Sequence, residues 1–178
     1  MGKGCLNKLS GNITVGCTIP RVGIKNIYLI HTSDVTFTVA GVAGSTITGA
    51  TIPAGAAVIL VEGYKQNIQL TSSVRAMDAS AKLDINVSFK MPVNTDKDFI
   101  RARSLLAGSF YVAVEHNDGT LVIVGYTSPL ECSGMDWDSN ANAGLATVTL
   151  SAPEGSAGNY FMIASPTAMD SIKSKVGV

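Results

Sequence analysis

Ser109-Phe-Tyr-Val-Ala-Val-Glu-His-Asn-Asp-Gly-Thr-Leu-Val-Ile-Val-Gly-Tyr126 is the stretch that decides the fold class. Two runs rich in β-branched and aromatic residues flank Asn117-Asp-Gly119. Asp and Gly tolerate the positive φ that tight hairpin turns require, so the segment predicts a β-hairpin. Both arms are apolar at successive positions, and strand side chains alternate between faces. A hairpin greasy on both faces has to lie in the middle of a sheet covered on both sides.

Working outward, Ala81 to Met91 alternates strictly. Leu83, Ile85, Val87, Phe89 and Met91 fall on one face, and Asp84, Asn86, Ser88 and Lys90 on the other. That period fits a strand and not a helix, and Pro92, with no N–H to donate, should end its ladder. Further strands are expected over Asn12–Cys17, Asn26–His31, Val35–Val39, Ala57–Val61, Leu145–Ser151 and Asn159–Ser165. One helix is expected over 96–107. Thr95 would be its N-cap, Asp98 would complete a capping box, Phe99, Ala102 and Leu106 would share one face with Leu105 beside them, and Gly108 would supply a left-handed stop. Residues 41–55 read as a Gly/Ala/Thr-rich long connection or a mobile hairpin, and 133–144 as a Gly/Asp/Asn-rich loop. The sum is a mainly β chain, a β-sandwich or split barrel with one flanking α-helix. It divides into an extended N-terminal arm (1–24) and a single β-rich domain (25–178).

Composition narrows the function. The 178 residues are 46% apolar but only 15% charged, against about 25% charged in an average soluble domain. Such a chain folds, and its surface is poorly insulated against association. With 13 basic and 13 acidic residues and no long basic run, a nucleic-acid-binding face is not indicated. No apolar run approaches the length of a membrane span, and the start lacks a signal-peptide core, so synthesis in a reducing cytoplasm is expected.

The chemistry-bearing residues do not converge. Asp136, Asp138 and Asn140 are spaced like calcium-loop ligands, but Ala141 stands where the turn wants Gly and Thr147 where a bidentate Glu belongs. A polar loop with Trp137 tucked against the protein is the better reading. His116 beside Glu115 and near Asp118 suggests an acid/base pair, yet a solvated hairpin tip accounts for them better. His31 with Cys5, Cys17 and Cys132 would be an acceptable zinc set, but no Cys-x-x-Cys is present. Arg101 and Arg103 read as a solvated helix face sooner than an anion site. Without a nucleophile elbow or a phosphate loop, no catalytic residue, cofactor or metal site is assigned, and the chain is not expected to be an enzyme.

Two stretches carry a family resemblance. Cys5-Leu-Asn-Lys-Leu-Ser-Gly-Asn-Ile-Thr-Val-Gly-Cys-Thr-Ile-Pro-Arg-Val-Gly-Ile24, followed by Ile27-Tyr-Leu-Ile30, resembles virion proteins of Bacteroides-infecting, crAss-like bacteriophages. The central hairpin followed by Ser128-Pro-Leu130 is similar to the strand–Asn-Asp-Gly–strand pattern of their tail-tube-like and neck-ring proteins, with a weaker echo in Leu145–Leu150. The resemblance covers about a third of the chain. It implies a tail-tube-like fold in a virion structural protein made in the bacterial host cytoplasm. Such a subunit would close a homo-oligomeric ring of six or twelve copies, stack on adjacent rings and meet other tail, neck or portal proteins, with DNA passing through the lumen. The alternative is a surface adhesion or carbohydrate-binding β-sandwich module.

Overall fold

The computed structural model describes residues 23–40, 45–63, 67–77, 80–138, 140, 144–154, 156 and 160–177. Its strands are β1 (Ile24–His31), β2 (Thr36–Ala40), β3 (Thr46–Thr51), β4 (Ile59–Glu62), β5 (Ile68–Met77), β6 (Ser80–Pro92), β7 (Ser109–His116), β8 (Leu121–Val124), β9 (Leu130–Trp137), β10 (Leu145–Ser151) and β11 (Met162–Ala164). The helices are α1 (Asp96–Ala107) and α2 (Pro166–Lys173). The expected arm, with its strand at Asn12–Cys17, lies outside the described residues apart from Gly23 and Ile24.

All the strands join one mixed sheet ordered β2-β3-β11-β8-β7-β9-β10-β6-β5, with β1 paired to both β7 and β4. Among the described residues, only the β11–β3 ladder is parallel. The predicted hairpin is its centre. Val112 to Glu115 pair with Val124 to Leu121 on one flank, while β7 from Phe110 to His116 runs antiparallel to β1 on the other. Its loop closes by His116 N–H to Thr120 O at 2.9 Å and Gly119 N–H to His116 O at 2.9 Å. Gly119 takes φ +82, the left-handed residue that a three-residue hairpin loop needs.

Alternation then sends the central strands' side chains into two separate cores. Ile27, Leu29, Val112, Val114, Val122 and Val124 enter one, with Ile85, Val87 and Phe89 of β6. Tyr28, Ile30, Ala113, Leu121 and Ile123 enter the other, beneath Ala168 and Ile172 of α2. The sheet must curl. A flat sheet would hold β1 and β5 about 24 Å apart, five strand spacings, yet residues of the two strands come within 8 Å of one another, Cα to Cα. The mainly β expectation therefore holds, as one large curled sheet carrying two helices instead of one.

Several local expectations are corrected. For residues 41–55 the hairpin reading replaces the connection: β3 pairs antiparallel with β2 across a bulge. Residues 133–144 begin inside β9. β5 occupies a stretch in which the sequence suggested no element, and the strand expected over Asn159–Ser165 is found as β11, ending at Ala164 because Ser165 and Pro166 start α2, with Asn159 outside the described residues. The boundaries and capping box of α1 stand as expected. Its orientation does not: Asp98, Ala102 and Leu105 are buried, while Phe99 and Leu106 are more than half exposed. A helical wheel with two apolar arcs cannot say which arc finds the sheet. Gly108 is extended (φ −105), and its role is close packing. A Cβ there would stand 2.4 Å from Phe110 Cζ and 3.1 Å from Ser104 O.

Candidate functional site

Among the described residues, the side chains singled out in the sequence are spread over several elements. Asp136 and Trp137 sit in β9, paired with Thr147 and Ala146 of β10, so the first position of the calcium-like spacing belongs to a strand. Trp137 is not tucked in; its indole is 53% exposed and donates to Gly144 O at 3.2 Å. His31 caps a short 3-10 turn, accepting from the Ser33 N–H at 3.3 Å. Cys132 is a free, half-buried thiol whose pKa is raised by burial, and Cys5 and Cys17 lie outside the described residues. Among the described residues no three His, Cys, Asp or Glu side chains gather as a metal site. Arg101 is engaged with Asp98 at 3.1 Å, while Arg103 is exposed.

Glu115 is the main departure from the solvated-tip reading. It is 2% exposed, on the face of β7 that looks toward α2. Tyr28 Oη donates to its Oε2 at 2.6 Å, Lys173 Nζ lies 2.6 Å from Oε1, and Asn26 Nδ2 and Lys25 Nζ stand at 3.3 and 3.5 Å. Burial alone would raise its pKa. The hydrogen bonds from Lys173 and Tyr28, with the lysine charge, outweigh that and hold it at about 2. Tyr28 is pushed up to about 12 by burial and by its bond to the Glu115 carboxylate. A carboxylate so firmly ionised is a poor general base; it ties strands to a helix.

Two surface features remain. The first is a cleft of about 590 Å3 over the outer faces of β5, β6, β9 and β10, with Lys82, Asp84, Asn86, Glu131 and Glu154 among its lining. The second is the edge formed by β5. Among the described residues β5 is hydrogen-bonded only to β6, over ten consecutive pairs without a register shift. Asn67 O accepts from Lys90 N–H at 3.1 Å. In an antiparallel ladder the backbone groups of alternate residues point to opposite sides. Gln69, Thr71 and Ser73 therefore face β6, while Ile68, Leu70, Ser72 and Val74 turn their N–H and C=O groups outward. Sheet edges are normally guarded by charge, proline, a bulge or brevity. Ile68 to Val74 contains no charged residue and no proline. Sequence reasoning missed this strand although its signal was present: Ile68, Leu70 and Val74 keep a period of two, diluted by Thr71, Ser72 and Ser73.

No protein-family model, curated protein or solved structure matches this chain. Its geometry alone, with the resemblance noted above, bears on function.

Proposed function

We propose that this chain is a self-assembling structural subunit, a bacteriophage virion protein that builds a ring or tube in the tail or neck. The observation that carries the reading is the outer edge of β5, which among the described residues has no hydrogen-bonded strand and over Ile68 to Val74 carries no charge and no proline. Open backbone groups along a weakly charged strand are an aggregation hazard in a monomer and an assembly device in an oligomer. The low overall charge and the exposed Phe99, Ile100 and Leu106 on α1 fit a chain that buries surface against partners. The resemblance supplies the rest of the reading: a closed ring of six or twelve copies stacked on neighbouring tail, neck or portal proteins, with DNA passing through the lumen.

Light scattering after size exclusion, with electron microscopy of the same fractions, tests it. Wild-type chain should elute as a discrete oligomer that images as rings. Ser72→Pro removes an outward N–H without touching the β5–β6 ladder, a position where an edge strand accommodates proline, and should give a folded monomer. A wild-type chain that stays monomeric at high concentration would sink the proposal.

The cleft favours a second reading, a carbohydrate-binding module. Its carboxylates, amide and hydroxyls suit a polyol, but none of its lining residues is aromatic. Glycan binding by the monomer, lost in Asn86→Ala, would support that alternative.

A further inference from the structure

We propose that the subunits join head to tail, the β5 edge of one copy pairing with the β2 edge of the next. The inference rests on the self-association reading and names its partner surface. β2 and β5 are the first and last strands of the main path through the sheet, and each has one hydrogen-bonded neighbour among the described residues. β2 (Thr36-Phe-Thr-Val-Ala40) carries no charge or proline, and β5 carries none over Ile68-Gln-Leu-Thr-Ser-Ser-Val74, its one charged residue, Arg75, following toward its far end. The remaining one-sided strand, β4, is shorter and ends on the exposed charge of Glu62. Asn67 Nδ2 also crosses to Glu62 O at 3.1 Å beside it.

Chemistry matches across the proposed seam. Thr36, Thr38 and Ala40 are exposed on β2, and Gln69, Thr71, Ser72 and Ser73 on β5. Thr–Thr and Thr–Ser neighbours are favourable cross-strand pairs. Two different edges make a heterologous interface, which propagates until rotation closes it into a ring, whereas β5 against β5 would stop at a two-fold dimer. Joining the first strand of one sheet to the last of another makes one sheet run through successive copies.

Two blocked variants test the pairing. Ser72→Pro disables β5 and leaves β2 intact; the double variant Thr36→Lys with Thr38→Lys places charge on β2 and leaves β5 intact. Each alone should be monomeric, and an equimolar mixture should form a 1:1 complex of twice the 18.4 kDa chain mass and grow no further. Far-UV circular dichroism and melting establish that both are folded, with Ser72→Lys replacing the proline variant if that one is not. Dimers of the β2-charged variant alone would overturn head-to-tail pairing in favour of β5 against β5. A mixture that stays monomeric would overturn it while wild-type rings kept the assembly reading intact. A monomeric wild type would remove both.

Discussion

Lys173 Nζ, in the last turn of α2, lies 2.6 Å from Oε1 of Glu115 on the central strand β7. Residues 58 positions apart are thereby joined where the helix covers the second core. The carboxylate is almost fully buried while the lysine keeps about a third of its side chain in water, so the pair is a partly desolvated tie.

Replacing Glu115 by Gln leaves Lys173 without its counter-ion and weakens the bond from Tyr28. Removing one member of a buried pair costs about 3–5 kcal/mol; the part-exposed lysine puts this case near the lower end. Urea denaturation should show the midpoint falling with little change in slope. An unchanged midpoint would mean that α2 is held by Ala168 and Ile172 alone.

The same cluster sets two limbs of the pH–stability profile. Glu115 has a depressed folded pKa, so its contribution is present above the ordinary carboxylate value of 4.5 and is lost as pH falls toward about 2. Tyr28 has a raised folded pKa, so its contribution is complete below 10 and is lost as pH rises toward about 12. Thermal melts across pH should show both losses, and the acid one should shrink in Glu115→Gln.

Gly119→Ala and Gly108→Ala should both destabilise, for different reasons. At Gly119 a Cβ meets nothing within 4 Å, so the cost is the left-handed backbone alone, about 1–2 kcal/mol. At Gly108 the backbone is ordinary but the new methyl collides with the Phe110 ring, and Gly108→Ala paired with Phe110→Leu should recover part of the loss. Chemical denaturation of the singles and the double gives the coupling.

Ile123→Ala opens a cavity in the second core, where Ile123 is fully buried, and should cost about 2–5 kcal/mol. Proteolysis of α2 should accelerate alongside it, because that core is what α2 covers.

Thr95→Ala should cost about 1 kcal/mol through loss of the cap. The Thr95 hydroxyl donates to Asp98 Oδ2 at 2.9 Å and accepts from the Asp98 N–H at 3.4 Å. That hydroxyl bond is the leading cause of the lowered Asp98 pKa. In Thr95→Ala the carboxyl should titrate at higher pH, followed by NMR.

Much of this protein is written in short-range chemistry. The Asn117-Asp-Gly119 turn, the alternation along β6 and the Thr95/Asp98 box are decided by residues within a few positions of one another, so the sequence by itself determined the central hairpin, the mainly β class and the limits of α1. A local signal for α2 is present too, Ser165 before Pro166, a cap and a first-turn proline, but Ser165 reads as the end of a strand. The tertiary structure decided what depends on distant partners. Glu115 read as a hairpin-tip acid until Tyr28 and Lys173 were seen to enclose it. Phe99 and Leu106 read as core until the sheet took the other side of α1. β5 carries an edge only because β6 pairs with one of its flanks and, among the described residues, no strand is hydrogen-bonded to the other. Burial and edge status are properties of neighbours brought together by folding, and no local pattern contains them.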